Sequence, residues 1–192
     1  MSDYDKKDSE LIYYSSVEEA ILNSPLNAEN EEFSVPEDFL NHVDEILHIW
    51  NGKQYDTIFY RAGSDNDPVQ GFVMARCKKQ VDEASVQYAF MNATPVTTKA
   101  DSILISDITE LIHSSLKLSD FQQDLNPNYP DTRFVFGYAH DKEIYSLEVE
   151  GQKPDGVIEI NVYDRTMYLW YYDDLKSDKR GNNLSYSVDM PE

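Results

Sequence analysis

Cations, glycine and cysteine are all scarce in this chain: 16 lysine or arginine residues stand against 36 aspartate or glutamate, with seven glycines and one cysteine. Each scarcity excludes something. A lone cysteine, Cys77, rules out an internal disulfide and fits a reducing compartment. The seven glycines form no G-x-G-x-x-G and no G-K-[ST], so no phosphate-cradling loop is present. No apolar run approaches the roughly 20 residues that cross a bilayer. The opening "MSDYDKKDSE" has neither the apolar segment of a signal peptide nor the basic character of an organelle presequence. These absences predict a cytoplasmic protein without a membrane partner.

The shortage of cations leaves a formal net charge of −20, unevenly spread. Residues 1–50 hold 13 acids and 2 bases, a net of −11; residues 51–192 hold 23 and 14, a net of −9. Such a field repels phosphate backbones and anionic membranes and attracts basic proteins. The largest basic patches are Arg76–Lys79 and Lys176–Arg180, too small to predict direct nucleic-acid binding.

A chain of 192 residues can bury one sizeable core. Residues 1–14 read as a flexible acidic arm and 15–192 as a single domain. In "SSVEEAILNSP", Ser16 and Glu19 have capping-box spacing and Pro25 lies beyond the helix end. A second helix is expected in "SVPEDFLNHVDEILHIWNG". There Ser34 and Glu37 can cap, and Pro36 is tolerated in the first turn. Phe39, Leu40, Val43, Ile46, Leu47 and Trp50 recur at three- and four-residue intervals, and Asn51-Gly52 supplies a stop. Strand patterns follow at Tyr55–Arg61, Val69–Lys78 and Ser85–Ala93. A third helix is expected in "SDITELIHSSLKL", capped by Ser106 or Asp107, and "SDFQQDL" can add a short turn. Strands resume at Thr132–Ala139, Glu143–Glu150, Val157–Tyr163 and Thr166–Asp173, with a weaker one in "LSYSVDM". The expected fold is α+β: a mainly antiparallel sheet of about seven strands with three helices, two of them N-terminal.

What is abundant is aromatic. "YDRTMYLWYYDD" sets five aromatics in twelve residues between acids. As a strand it sends Met167, Leu169 and Tyr171 to one side and Thr166, Tyr168, Trp170 and Tyr172 to the other. Either both faces are covered and the strand is core, or one face is left for a partner.

Catalytic and metal motifs are missing. His42, His48, His113 and His140 show no H-E-x-x-H spacing. "GSDNDP" at 63–68 lacks the downstream glycine and glutamate of a calcium loop and reads as a turn. Alternation sets Cys77 with Val73 and Ala75, away from Arg76 and Lys78, which makes it a buried structural thiol. No Ser–His–Asp set sits in a nucleophile elbow. No catalytic residue, metal ligand or cofactor is therefore assigned.

Two readings of function remain. The first is a non-enzymatic acidic interaction or inhibitor protein that occupies a basic, nucleic-acid-binding surface of a partner. Immunity proteins against nuclease toxins and phage anti-defence proteins that imitate DNA act in this way. Duplex DNA carries about one charge per 1.7 Å, and carboxylates along one element can satisfy the same Lys/Arg sites. The residues expected at that contact are Glu37, Asp38, Asp44 and Glu45, with Tyr168, Trp170, Tyr172, Asp173 and Asp174. The partner would be a nuclease or another nucleic-acid-binding protein. The alternative is a small enzyme or small-ligand-binding protein whose acidic surface serves solubility.

Overall fold

The computed structural model describes residues 11–24, 38–63, 70–98, 105–126, 132–162, 165–177, 179 and 183–188. Backbone contacts divide the chain into two units, Met1–Lys117 and Leu118–Glu192.

The first unit contains α1 (Val17–Leu22), then β1 (Val43–Asn51), β2 (Tyr55–Ala62), β3 (Gln70–Val81) and β4 (Val86–Thr98), and ends with α2 (Ile105–Leu116). The four strands form an antiparallel meander in the order β1-β2-β3-β4. Val17, Ala20 and Ile21 of α1 pack with Ile58, Tyr60, Val73 and Cys77 on one face of this sheet. Alternation turns Phe59, Phe72 and Met74, all buried, to the opposite face. α2 packs on β3 and β4 and buries Ile108, Leu111, Ile112 and Leu116, the stripe read from the sequence. It begins at Ile105, ahead of both expected caps, so Ser106 and Asp107 fall inside its first turn. α1 is capped largely as expected: Ser16 Oγ accepts from Glu19 N at 3.2 Å. The Glu19 carboxylate reaches back to the Ser15 backbone N–H rather than to that of Ser16.

The second unit contains α3 (Ser119–Leu125), β5 (Thr132–Ala139), a 3-10 helix (Lys142–Ser146), β6 (Glu148–Val149), β7 (Gly156–Val162), β8 (Arg165–Lys176) and β9 (Tyr186–Ser187). β8 is the centre of a three-stranded antiparallel sheet, β5-β8-β7, and β6 pairs with β9. Phe121 of α3 meets Phe134 of β5 edge to face at 5.2 Å.

The α+β class with antiparallel sheets and three α-helices thus matches expectation, and three features do not. The strands form a four-stranded and a three-stranded sheet plus a small pair, not one sheet of about seven. Among the described helices only α1 lies near the N-terminus, and the other two follow β4. The helix expected in "SVPEDFLNHVDEILHIWNG" is, over its described residues, a turn at 38–41 followed by β1. Its proposed caps Ser34 and Glu37 lie outside the described residues, as do residues 1–10 of the arm and most of the "GSDNDP" turn.

The β1 correction has a definite cause. β1 bulges twice against β2, between Val43 and Glu45 and between Ile46 and His48. Each bulge inserts one residue and stretches the two-residue repeat of a strand to three. Val43, Ile46 and Ile49 therefore stand opposite Ala62, Tyr60 and Ile58, all on the α1 side. Spacing that mimics a helix turn arises from a twice-bulged edge strand, and Asn51-Gly52 opens a hairpin instead of ending a helix. The expected strand Glu143–Glu150 is likewise split into the 3-10 helix and the short β6. Ser146 Oγ donates to Glu143 O at 2.7 Å, the local bonding by which serine competes with a ladder.

Candidate functional site

The aromatic strand β8 is covered on both faces. Tyr168, Trp170 and Tyr172 are 2%, 8% and 2% exposed. They pack with Ile144, Leu147 and Val149 from the 3-10 helix and β6, and with Leu184 near β9. Met167, Leu169 and Tyr171 are buried on the other side. The three aromatics assigned to a partner surface are thus core residues of their unit. The polar tip of Tyr172 is used: its hydroxyl accepts from Val149 N at 3.1 Å and donates to Gln152 O at 2.7 Å.

Two glycines make room for this strand. A side chain at Gly137 would run into the Trp170 ring, and one at Gly156 into the Tyr171 ring. Both are cross-strand partners of the residue they accommodate, on β5 and β7 respectively.

Beyond Tyr172 the strand changes phase. Val135 and Arg133 of β5 pair with Tyr172 and Leu175 of β8, so Asp173 and Asp174 form a bulge. Asp174 is exposed and Asp173 half-buried. Asp155, at the start of β7, accepts from Asp173 N through Oδ2 at 2.7 Å and donates its own N–H to Tyr171 O at 3.0 Å. Asp155 and Asp173 therefore lie beside the Tyr171 side chain, with Asp174 next to Asp173. Asp173 Oδ1 is buried and accepts no hydrogen bond from any described residue. Burial, then Asp155 and Asp174, push the Asp173 carboxyl up to about 6. Burial, then Asp173 and Asp155, push Tyr171 up to about 12. Asp155 escaped the sequence reading. The Asp155-Gly156 pair that opens β7 was its only local signal, and its partners lie 16 and 18 residues further along the chain.

The remaining expected contacts lie in the first unit. Asp38 is partly buried in the turn before β1, and its carbonyl accepts from Asn41 N and His42 N. Asp44 is exposed at the first bulge of β1. Glu45, also exposed, holds Arg61 of β2 at 3.1 Å. Glu37 lies outside the described residues. β1 thus brings Asp44 and Glu45 together, while Asp173 and Asp174 belong to the other unit.

Cys77 is fully buried, and burial followed by the Asp56 and Glu18 carboxylates pushes its thiol up to about 12. Its cross-strand partner Asp56, 2% exposed, meets Lys79 at 2.7 Å. His48 packs edge to face on Trp50 at 4.6 Å, and burial lowers its pKa. Among the described residues no three His, Cys, Asp or Glu side chains form a metal-binding group. No described helix is long and apolar enough to cross a membrane.

No family model, curated protein or solved structure matches this chain.

Proposed function

We propose that the protein is a non-enzymatic acidic interaction protein that occupies a basic, nucleic-acid-binding surface of a partner protein, in the manner of nuclease-toxin immunity proteins and DNA-mimicking anti-defence proteins. The observation that carries this reading is the Asp155–Asp173–Asp174 group. Among the described residues no lysine or arginine pairs with it, and one of its oxygens is buried without a donor. Holding Asp173 there costs stability, because its environment disfavours the charged form. A lysine or arginine from a partner would supply both the missing donor and the counter-charge. Exposed Asp44 and Glu45 on β1, with the net charge of −20, add the long-range attraction that speeds encounter. The aromatics of β8 serve the unit's core in this reading, and carboxylates make the first contact.

A partner recovered from native lysate provides the test. It should release this protein when short duplex DNA is added, because both ligands would occupy the same cationic surface. The protein alone should give no gel shift with the same DNA at physiological salt. Micromolar binding of DNA by the protein itself, or a partner complex indifferent to DNA, would contradict the proposal.

One observation favours the alternative reading of a small enzyme. A carboxyl titrating near 6 suits a general acid. Asp173→Asn separates the two, since it would abolish catalysis but only weaken a charge-guided complex.

A further inference from the structure

One part of the cover over Trp170 is attached unlike the rest of the second unit. From Ser177 onward the described chain passes through Lys179 and residues 183–188, returning to pair with β6 through only two residues, Glu148↔Ser187 and Val149↔Tyr186. Leu184 packs into the cluster around Trp170. Tyr186 meets the Trp170 ring edge on at 6.3 Å while remaining 55% exposed itself. So short a strand pair has little stability of its own.

Besides that pairing and packing, and a bond from Arg133 Nη2 to Lys179 O, several polar bonds to this segment meet at one side chain. The Glu150 carboxylate accepts from Lys179 Nζ at 2.8 Å and from the Ser185 backbone N–H. Glu150 N donates to Ser185 O at 2.9 Å, and Lys179 Nζ also donates to Ser185 Oγ at 2.6 Å. Glu150 occupies an unusual place. With φ of 53° at Glu150 and 71° at Gly151, it is the first residue of a two-residue turn closed by Val149 and Gln152. Asparagine, aspartate or glycine normally fills such a position, because a longer L side chain is strained there. A glutamate has the reach to clamp Lys179 and Ser185 from this turn, and those shorter side chains do not.

We propose that residues 183–188 form a strap that opens while the three-stranded sheet stays folded, with Glu150 as its latch, and that opening uncovers the Trp170 ring that Tyr186 meets. The fold then has two states of one aromatic face. When the strap is closed the face is core. When it is open, Trp170 presents a side-chain type that dominates protein–protein contacts. Local opening of this kind draws on the least stable part of a structure, where the bonds are few and exposed.

Hydrogen exchange on the full-length chain, read residue by residue by NMR, tests the strap without any partner. The amides of Glu150 and Ser185 should exchange well before those of β8 in the wild type. Glu150→Gln removes the charge but keeps the side-chain length. It should speed strap exchange roughly fivefold to tenfold, the net effect of one ordinary hydrogen bond, and leave β8 unchanged. The Trp170 indole signal should shift in that variant and the Trp50 signal should not. Glu150→Gly relieves the turn but removes the clamp, and it should behave like Glu150→Gln. Strap amides that exchange only in step with β8 would overturn the proposal. So would a Glu150→Gln protein in which both regions accelerate equally, or one in which Trp170 keeps its wild-type signal while the strap opens.

Discussion

Trp170 lies directly across the strand pair from Gly137, and a Cβ on Gly137 would come within 2.8 Å of the indole Cε2 and closer still to Cζ2. The glycine is required by its neighbour, because the ring occupies the space that any other residue would fill. Gly137→Ala should therefore destabilise the second unit by about 1–3 kcal/mol, the cost of overpacking a filled site. Thermal melting should show a Tm lower by roughly 2–10 °C, with a changed indole environment. An unchanged Tm would mean that Trp170 moves aside freely.

Asp173 makes stability depend on pH with a definite sign. Its folded pKa, about 6, is raised above the ordinary value of 3.8, mainly by burial and then by Asp155 and Asp174. The folded state thus binds more protons than the unfolded chain between those two values, and stability falls as pH rises through that window. The contribution is fully present below the unfolded value and lost above the folded one. Asp82 and Glu150 act in the opposite sense, since hydrogen bonds lower both: for Asp82 from Ala84 and Ser85, for Glu150 first from Lys179 and then from Ser185. The comparison to make is therefore wild type against Asp173→Asn, melted from pH 4 to pH 7.5. The variant should gain Tm relative to wild type as pH rises from 4 to about 6 and keep that gain at higher pH; a constant difference would refute the assignment.

The two ion pairs of the four-stranded sheet should differ sharply in cost. Asp56, 2% exposed, meets Lys79 at 2.7 Å, whereas Glu45, 54% exposed, meets Arg61 at 3.1 Å. Lys79→Met removes the Lys79 cation from a buried carboxylate and should lose about 3 kcal/mol. Glu45→Gln removes a solvated pair and should change stability by less than about 1 kcal/mol. Urea melts of both variants in the same buffer give the comparison.

Cys77 should be inert and structural. Its thiol is fully buried and pushed up to about 12, so a disulfide reagent should label it only as fast as the protein unfolds. Cys77→Ser buries a hydroxyl among Val73, Ala75 and Phe90 and should cost about 1–3 kcal/mol while leaving partner binding intact. Rapid labelling of the native protein would contradict this placement.

Where sequence and structure agree, the pattern had a single physical origin. The stripe Ile108, Leu111, Ile112 and Leu116 of α2 follows from helix period alone. The strand order of "YDRTMYLWYYDD" follows from period two, and its covering on both faces accounts for apolar residues on both sides. Cys77 was placed by the same alternation. Agreement failed where period was altered by tertiary pairing. In β1 two bulges turned Val43, Ile46 and Ile49 into a three-residue repeat, and only the partner strand reveals the inserted residues. The carboxylate group was half legible. Asp173 and Asp174 stood out as acids beside aromatics, but Asp155 joins them through hairpin pairing that composition cannot show. Glu150 gave no signal at all, because its role depends on a left-handed backbone and on partners 29 and 35 residues away.

The central claim is that carboxylates guide this protein onto a basic partner. The most direct measurement is surface plasmon resonance on the recovered partner at two salt concentrations. It would compare wild type with a variant carrying lysine at 37, 38 and 44 and Glu45→Gln; glutamine at 45 avoids setting a lysine against Arg61. Electrostatic guidance predicts a wild-type association rate that falls with salt. The variant should associate about tenfold more slowly at low salt and lose most of that salt dependence. Association rates that are equal in the two proteins and indifferent to salt would contradict the claim.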